Sequence, residues 1–344
     1  MALRVALVYN DPIPDRYSQM GEAAAVADVL DAVKAVNDAL VGMGHSVTKV
    51  SLVPPIDGVR AILSGLEVDV FFNLFEGFAG QPETEAMVAG MMAVLGKPFT
   101  GSTAPTLALA LDKAKTKELL IAAGLTTPRY QVLRPESVNS FTLSYPCIVK
   151  PVAEDASHGV TQDSVVHNSV SLAQQVAKIS ANYGGRALVE EFLDGRQLSV
   201  TITGNRIPTV LFISELIFSL PPELPRIFTF GAKWLTNDVY YDRTTPVCPA
   251  EVDEDLRAHL SEISLATYKL LGCRGYARVD LRLDAQGYAN VLEVNPNPDI
   301  VAYANLLEGN PNPDIPIPSW SKVGSRLTYP QIVERIIELA FDRE

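Results

Sequence analysis

Apolar residues follow one another almost without a break through Leu3-Arg-Val-Ala-Leu-Val-Tyr9, which predicts a strand buried on both faces. Residues 21–43 predict a long helix closing near Gly42-Met-Gly44, and Val47 to Val53 and Val68 to Asn73 predict two further strands. Strands alternating with helices in this way imply a parallel α/β sheet. Lys113 to Ala123 predicts a helix with Gly124 as its C-cap. The Pro128 to Val149 region and Arg186 to Phe192 supply strands of a middle unit, and strands resume from Ser199. Pro221 to Pro249 is Pro-rich and irregular; a long loop inside a compact enzyme is more often functional than idle. A helix over Asp253 to Leu271 leads into two strands joined by a turn at Ala285-Gln-Gly287, and an amphipathic helix over Tyr329 to Phe341 closes the chain. The expected boundaries are residues 1–112, 113–196 and 197–344.

Composition narrows the functional classes. The chain has 344 residues, enough for two or three domains with a sizeable core. A formal net charge of −12 argues against nonspecific nucleic-acid binding, which needs basic surface to replace counterions. No apolar run is long enough to span a bilayer, and no basic stretch followed by an apolar segment marks a signal peptide. Cys147, Cys248 and Cys273 are too widely spaced for a CxxC site or a disulfide framework, so a cytoplasmic protein is expected.

The richest chemistry lies in Arg278-Val-Asp-Leu-Arg-Leu-Asp284 and Val291-Leu-Glu-Val-Asn-Pro296. Glu293 and Asn295 are two apart on one strand and share a face, and Asp280 on the partner strand joins them. Such hard oxygen donors suit Mg²⁺, which gains further oxygens from substrate phosphates. Arg278 lies on the same face as Asp280 and suits an anionic or polarised substrate oxygen. A solvated surface hairpin would carry the same acids. The hexapeptide Asn-Pro-Asn-Pro-Asp-Ile occurs at 295–300 and again at 310–315; the first copy, following a strand, takes the metal role.

With this hairpin, four further segments in order give the chain a family resemblance. They are Gly101-Ser-Thr, Leu111-Asp-Lys-Ala-Lys-Thr-Lys117, Cys147-Ile-Val-Lys-Pro151 with Ser157-His-Gly-Val160, and Val189-Glu-Glu-Phe-Leu-Asp-Gly195. Together they resemble an ATP-grasp ligase of the D-alanine–D-alanine ligase branch, from about residue 65 to 300. The resemblance implies an α/β ATP-grasp fold with an N-terminal parallel α/β substrate domain, a central subdomain, and a C-terminal subdomain with lid and metal site. It implies ATP with Mg²⁺, Mn²⁺ being admitted as a substitute. Lys113 and Lys150 would then contact the nucleotide, although Lys113 stands beside Lys115 and Lys117 and resembles any exposed helix lysine. Ser157 and Gly159 would belong to a phosphate-covering loop, where His158 is more often a loop side chain than a catalyst. Glu190, Phe192 and Leu193 resemble the adenine hinge, and Gln197 stands where the family holds ribose with an acid. Glu190 either accepts from the adenine amino group or lies in solvent. Lys233 matches the lysine of the mobile loop that closes over the γ-phosphate, and Lys233 and Arg278 are the expected catalytic residues.

The chain departs from the family around the substrates. No glycine-rich loop with an ammonium-holding glutamate follows the first strand; Asp28, Asp31 or Glu22 either substitutes or is a solvated helix face. Asn73-Leu-Phe-Glu-Gly77 replaces a histidine motif, which makes Glu76 a substrate candidate. Ala156 stands for a serine and Trp234 for a tyrosine, so the hydrogen-bonded link between phosphate loop and lid is expected to be lost. Asp299 either meets the incoming amine or is a turn residue after proline. The expected activity is an ADP-forming, ATP-dependent ligase joining a small carboxylate to an amine through an acyl phosphate, in a monomer or homodimer, with no nucleic-acid or membrane partner. The alternatives are a genuine D-alanine–D-alanine ligase with a diverged pocket, a mycosporine–amino acid ligase type of enzyme, and a nucleotide-binding module without turnover.

Overall fold

A computed structural model describes residues 2–13, 17, 20–22, 29–299 and 328–342. Its first sheet contains β1 (Arg4–Asn10), β2 (Ser46–Leu52) and β3 (Val70–Leu74), parallel and in the order β2-β1-β3. The helices of this region are α1 (Val29–Gly42), α2 (Val59–Ser64), α3 (Thr84–Val94) and α4 (Ala104–Leu111). Alternation along β1 sends Val5 and Leu7 to one face and Ala6 and Val8 to the other. The first face meets Val29, Ala32, Val33, Val36 and Leu40 of α1, and the second meets α2 and α3 through Val59, Leu63, Val88 and Met92. Both faces are therefore covered, which is why the strands read as unbroken apolar runs.

α5 (Lys113–Ala122) begins on Asp112, whose carboxylate caps it by accepting from the Lys115 amide at 3.2 Å. The next sheet is antiparallel, in the order β4-β7-β5-β6, with β4 (Tyr130–Leu133), β5 (Cys147–Pro151), β6 (Val165–Val166) and β7 (Ala187–Glu191). α6 (Ser169–Asn182) packs Leu172, Val176 and Ile179 against it. The last sheet, also antiparallel, is β10-β9-β8-β11-β12, with β8 (Gln197–Thr203), β9 (Thr209–Phe218), β10 (Thr244–Val247), β11 (Tyr276–Leu283) and β12 (Ala289–Asn295). The Pro-rich stretch between β9 and β10 is not wholly irregular: it holds the short helices α7 (Phe230–Trp234) and α8 (Val239–Arg243). Thr229 and Asp238 cap them, and five residues are too few to show helical periodicity in sequence. α9 (Glu254–Leu270) covers one face of the last sheet.

Two contacts across the sheets position the site. The edge strand β12 is covered by Thr126 and Thr127, whose hydroxyls donate to Ala289 O at 2.6 Å and Val291 O at 2.7 Å. Gly101, at φ +80°, lies so close to Asn297 that a Cβ would sit 2.7 Å from its Oδ1, so only glycine fits. α10 (Tyr329–Phe341), at the predicted bounds, packs Ile332, Val333, Ile336 and Ile337 on α1 and the first sheet. Among the described residues the long first helix starts at Val29; residues 23–28 and the second hexapeptide copy lie outside them. The three cysteines are free.

Ile336, 2% exposed, joins the chain's last helix to its first sheet. Ile336→Ala is expected to lower stability by about 2–5 kcal/mol in urea denaturation. A loss below about 0.5 kcal/mol, as for a surface substitution, would contradict this packing.

Candidate active site

The hairpin β11–β12 places Asp280 opposite Glu293 and Arg278 opposite Asn295. Arg278 donates to both oxygens of Asp280, at 2.7 and 2.9 Å, and Asn295 Nδ2 donates to Asp280 Oδ2 at 3.1 Å. Lys113 Nζ lies 3.6 Å from Glu293 Oε2. Burial works to raise the Glu293 pKa, but Lys113, Lys150, Lys233 and Arg278 together hold it at about 2. Four cations from four separate elements thus converge on one carboxylate. Among the described residues, no three His, Cys, Asp or Glu side chains gather into a metal cage. Mg²⁺ needs only one or two protein carboxylates when phosphates supply the rest, and two carboxylates with an amide oxygen fit that demand.

Lys113 opens α5 and is buried, which removes the alternative of an exposed helix lysine. Its Nζ donates to Glu154 O and, at 3.2 Å, to Asp155 Oδ1. Burial would lower its pKa, but Asp155 and Glu293 reverse the sign and raise it. Glu190 does not lie in solvent: it is buried, with Lys117 at 2.6 Å and Lys150 at 2.8 Å. Lys117, which sequence reading leaves as an ordinary neighbour of Lys113, is fully buried.

The segment 154–160 takes the left-handed backbone at Ala156 (φ 51°), Ser157 (φ 60°) and Gly159 (φ 74°). Two successive non-glycine residues there are strained and persist only when their surroundings fix them. The surroundings do so from three sides. Glu22 accepts from the Gly159 amide at 3.2 Å and from the Tyr183 hydroxyl at 3.0 Å, and pairs with His158 Nδ1 at 2.7 Å. Tyr17 stacks on the His158 ring at 4.0 Å and donates to Glu154 at 2.6 Å. The Phe230 amide donates to Val160 O at 3.0 Å. Trp234 Nε1 donates to Ala156 O at 3.3 Å, so the link between loop and lid is re-made through a backbone carbonyl. Lys233 is half-buried in α7, 5.0 Å from the centre of the Phe228 ring; burial and then Arg278 lower its pKa.

The remaining candidates are more dispersed. Phe192 donates its amide to Pro146 O at 3.1 Å, and Leu193 follows it half-buried. Gln197 Oε1 accepts from Arg282 Nη1 at 3.1 Å, and the Arg282 guanidinium lies 5.4 Å from the Phe192 ring. Glu76 is exposed, with its amide donating to Asn10 Oδ1 at 3.1 Å, and Asp299 is half-buried. Asp28 lies outside the described residues. Sequence reading passed over Glu85, whose carboxyl is pushed well above its usual range by burial and by Asp155 and Glu76, and which hydrogen-bonds Asn297. It also passed over Lys117, Tyr183 and Asn297. Each depends on a partner far away in sequence, so no local motif marked it.

Comparison with known proteins places this arrangement. Residues 119–338 match the family described as D-ala D-ala ligase C-terminus. The uncharacterised protein y4sG of Sinorhizobium fredii is 38% identical over 67% of this chain and 65% of its own length. A D-alanine–D-alanine ligase of Xanthomonas axonopodis pv. citri is 30% identical over 71% of this chain and 74% of its own. The crystal structure of the VanG D-Ala:D-Ser ligase of Enterococcus faecalis superposes with a TM-score of 0.74 at 19% identity, covering 99% of this chain and all of that one. The fold and its relatives define an ATP-grasp enzyme, an ATP-dependent, ADP-forming carboxylate–amine ligase. Within that class, the chain belongs to the D-alanine–D-alanine ligase family.

The depressed Glu293 pKa sets a pH dependence. Its stabilising contribution is complete above the unfolded value of about 4.3 and disappears as pH falls through about 2. Glu293→Gln is therefore expected to lose less stability than the parent between pH ~4.5 and ~2.5. Parallel curves in chemical denaturation would show that the cations do not act on Glu293.

Proposed function

We propose that this chain joins a small carboxylate to an amine through an acyl phosphate, with ATP and Mg²⁺. The observation that carries this reading is the convergence of Lys113, Lys150, Lys233 and Arg278 on Glu293. Each is also held by another acid, Lys113 by Asp155, Arg278 by Asp280 and Lys150 by Glu190, and a set of cations positioned in this way suits a triphosphate with its divalent cation. Asp280, Glu293 and Asn295 would hold Mg²⁺, which supplies charge neutralisation at the phosphates. Lys113 and Lys150 would hold the nucleotide, with Phe192 and Leu193 at the adenine and Gln197 at the ribose. The left-handed turn at Ala156 and Ser157 would direct backbone N–H groups of the loop at phosphate.

The carboxylate oxygen attacks the γ-phosphorus and ADP departs. The amine nitrogen then attacks the acyl carbon, phosphate leaves, and the nitrogen loses its proton. Arg278 would stabilise charge on the reacting oxygen, and Lys233 would close with the lid. The Trp234–Ala156 bond supports a lid seated on the loop, where water is excluded and an acyl phosphate is protected from hydrolysis.

The substrates are not two D-alanines in this reading. Glu22, the one described acid close to the phosphate loop from the N-terminal segment, already accepts from Gly159 and Tyr183 and pairs with His158. Trp234 adds a large apolar surface beside the lid. Glu76, Asp299 and Asp28 are the remaining candidates for meeting the amino groups. The protein would work in the cytoplasm as a monomer or homodimer, without nucleic acid.

Purified protein with ATP and Mg²⁺ is expected to release ADP only when both a carboxylate and an amine are supplied from a paired panel. D-alanine alone is expected to give little turnover. Robust D-alanyl-D-alanine formation would overturn the substrate reading, and no ADP with any pair would overturn the ligase reading. With an active pair, Lys233→Ala should lower kcat far more than it raises the KM for ATP, because the lid acts as charge develops. A rise in KM at constant kcat would contradict that role.

A further inference from the structure

Lys117 has 0% exposure, and a buried ammonium is costly unless it is paired and hydrogen-bonded. Its Nζ meets Glu190 Oε1 at 2.6 Å and Thr127 Oγ1 at 2.7 Å. Glu190, 1% exposed, turns its other oxygen to Lys150 Nζ at 2.8 Å. The Lys150 side chain keeps 12% of its surface, so it alone of the three reaches outward. Thr127 donates to Val291 O at 2.7 Å, two residues before Glu293 on β12. One continuous line of polar contacts therefore runs from the metal-bearing strand through Thr127, Lys117 and Glu190 to Lys150.

An apolar side chain would fill this volume at lower cost, since desolvating ions often outweighs their attraction. The arrangement makes sense through its effect on Lys150. A carboxylate facing Lys150 alone would neutralise it and draw its ammonium inward. A carboxylate shared by two lysines leaves one net positive charge on the side that Lys150 exposes.

We propose that Lys117 is a positioning residue: by offsetting part of the Glu190 charge, it leaves net positive charge on the side that Lys150 exposes, toward nucleotide phosphate, and through Thr127 it ties that ammonium to β12. This rests on the nucleotide reading above.

The groups facing Lys117 are Glu190 on β7, Lys150 on β5, the Tyr130 ring on β4 at 5.9 Å and, through space, Glu293 on β12. Burial lowers the Lys117 pKa, Glu190 opposes it, and Lys150 lowers it again, to about 8. Below that value Lys117 is charged and offsets Glu190. Above it, Glu190 acts on Lys150 alone, so nucleotide affinity falls as pH rises through about 8.

Calorimetric titration with ADP and Mg²⁺ from pH ~6.5 to ~9.5 tests this, on the parent, Lys117→Met, Lys117→Arg and Thr127→Val, with thermal midpoints measured alongside. Lys117→Met is expected to weaken ADP binding about tenfold at neutral pH, the scale of one charged hydrogen bond. Lys117→Arg, which stays charged, should bind like the parent at neutral pH and lose the decline above pH ~8. Thr127→Val should weaken binding less than Lys117→Met, and it provides the test if that variant does not fold. Unchanged ADP affinity in folded Lys117→Met, or in Thr127→Val where it stands in, would overturn the proposal even if the thermal midpoint drops. So would an alkaline decline in Lys117→Arg that matches the parent. If the parent itself binds no ADP, the nucleotide reading fails first, and that result is distinct from either variant outcome.

Discussion

The site depends on one electrostatic balance: the half-buried carboxylate of Glu293 held among Lys113, Lys150, Lys233 and Arg278. Lys113, the buried one of the four cations, is costly without a partner, because a desolvated charge must be paired. The acids that answer them are few. Asp280 is taken by Arg278, and Glu190 is shared by Lys117 and Lys150. Lys113 is answered by Asp155 as well, at 3.2 Å. A phosphate chain accompanied by a divalent cation would complete the balance. The register of β11 against β12 makes this possible, since a one-residue slip would turn Glu293 and Asn295 to the other face.

A second constraint acts on the loop over that potential. Its two left-handed non-glycine residues are kept by contacts from the N-terminal segment, the end of α6 and the lid helix α7. The loop is tied down from several sides. His158, Tyr17 and Tyr183 gather around Glu22, and Trp234 reaches a backbone carbonyl. Loop, lid and N-terminal segment therefore meet at adjacent residues, and movement of one is felt by the others.

Much of this was legible in the sequence where the information is local. The hairpin with Asp280, Glu293 and Asn295 needs only strand alternation and a turn, and α10 needs only its apolar stripe. The two short helices in the Pro-rich stretch were not legible, because their caps are visible but their periodicity is not. The burial of Lys117 was not legible either, since it is decided by Glu190 and Thr127, which no spacing rule connects to it. The Trp234 contact is hidden for a related reason: its acceptor is a main-chain carbonyl, which side-chain chemistry does not mark.

In the proposed reading, the surroundings of Glu22, Ala156 and Trp234 bear on the substrates, and the cations and acids on the reaction. The most direct test of the account follows oxygen. With the carboxylate substrate identified and labelled with ¹⁸O, turnover with ATP and the amine should carry one ¹⁸O from the carboxylate into the released phosphate. Phosphate free of label, with amide product and ADP still formed, would show that the carboxylate is not activated as an acyl phosphate and would contradict the account at its centre.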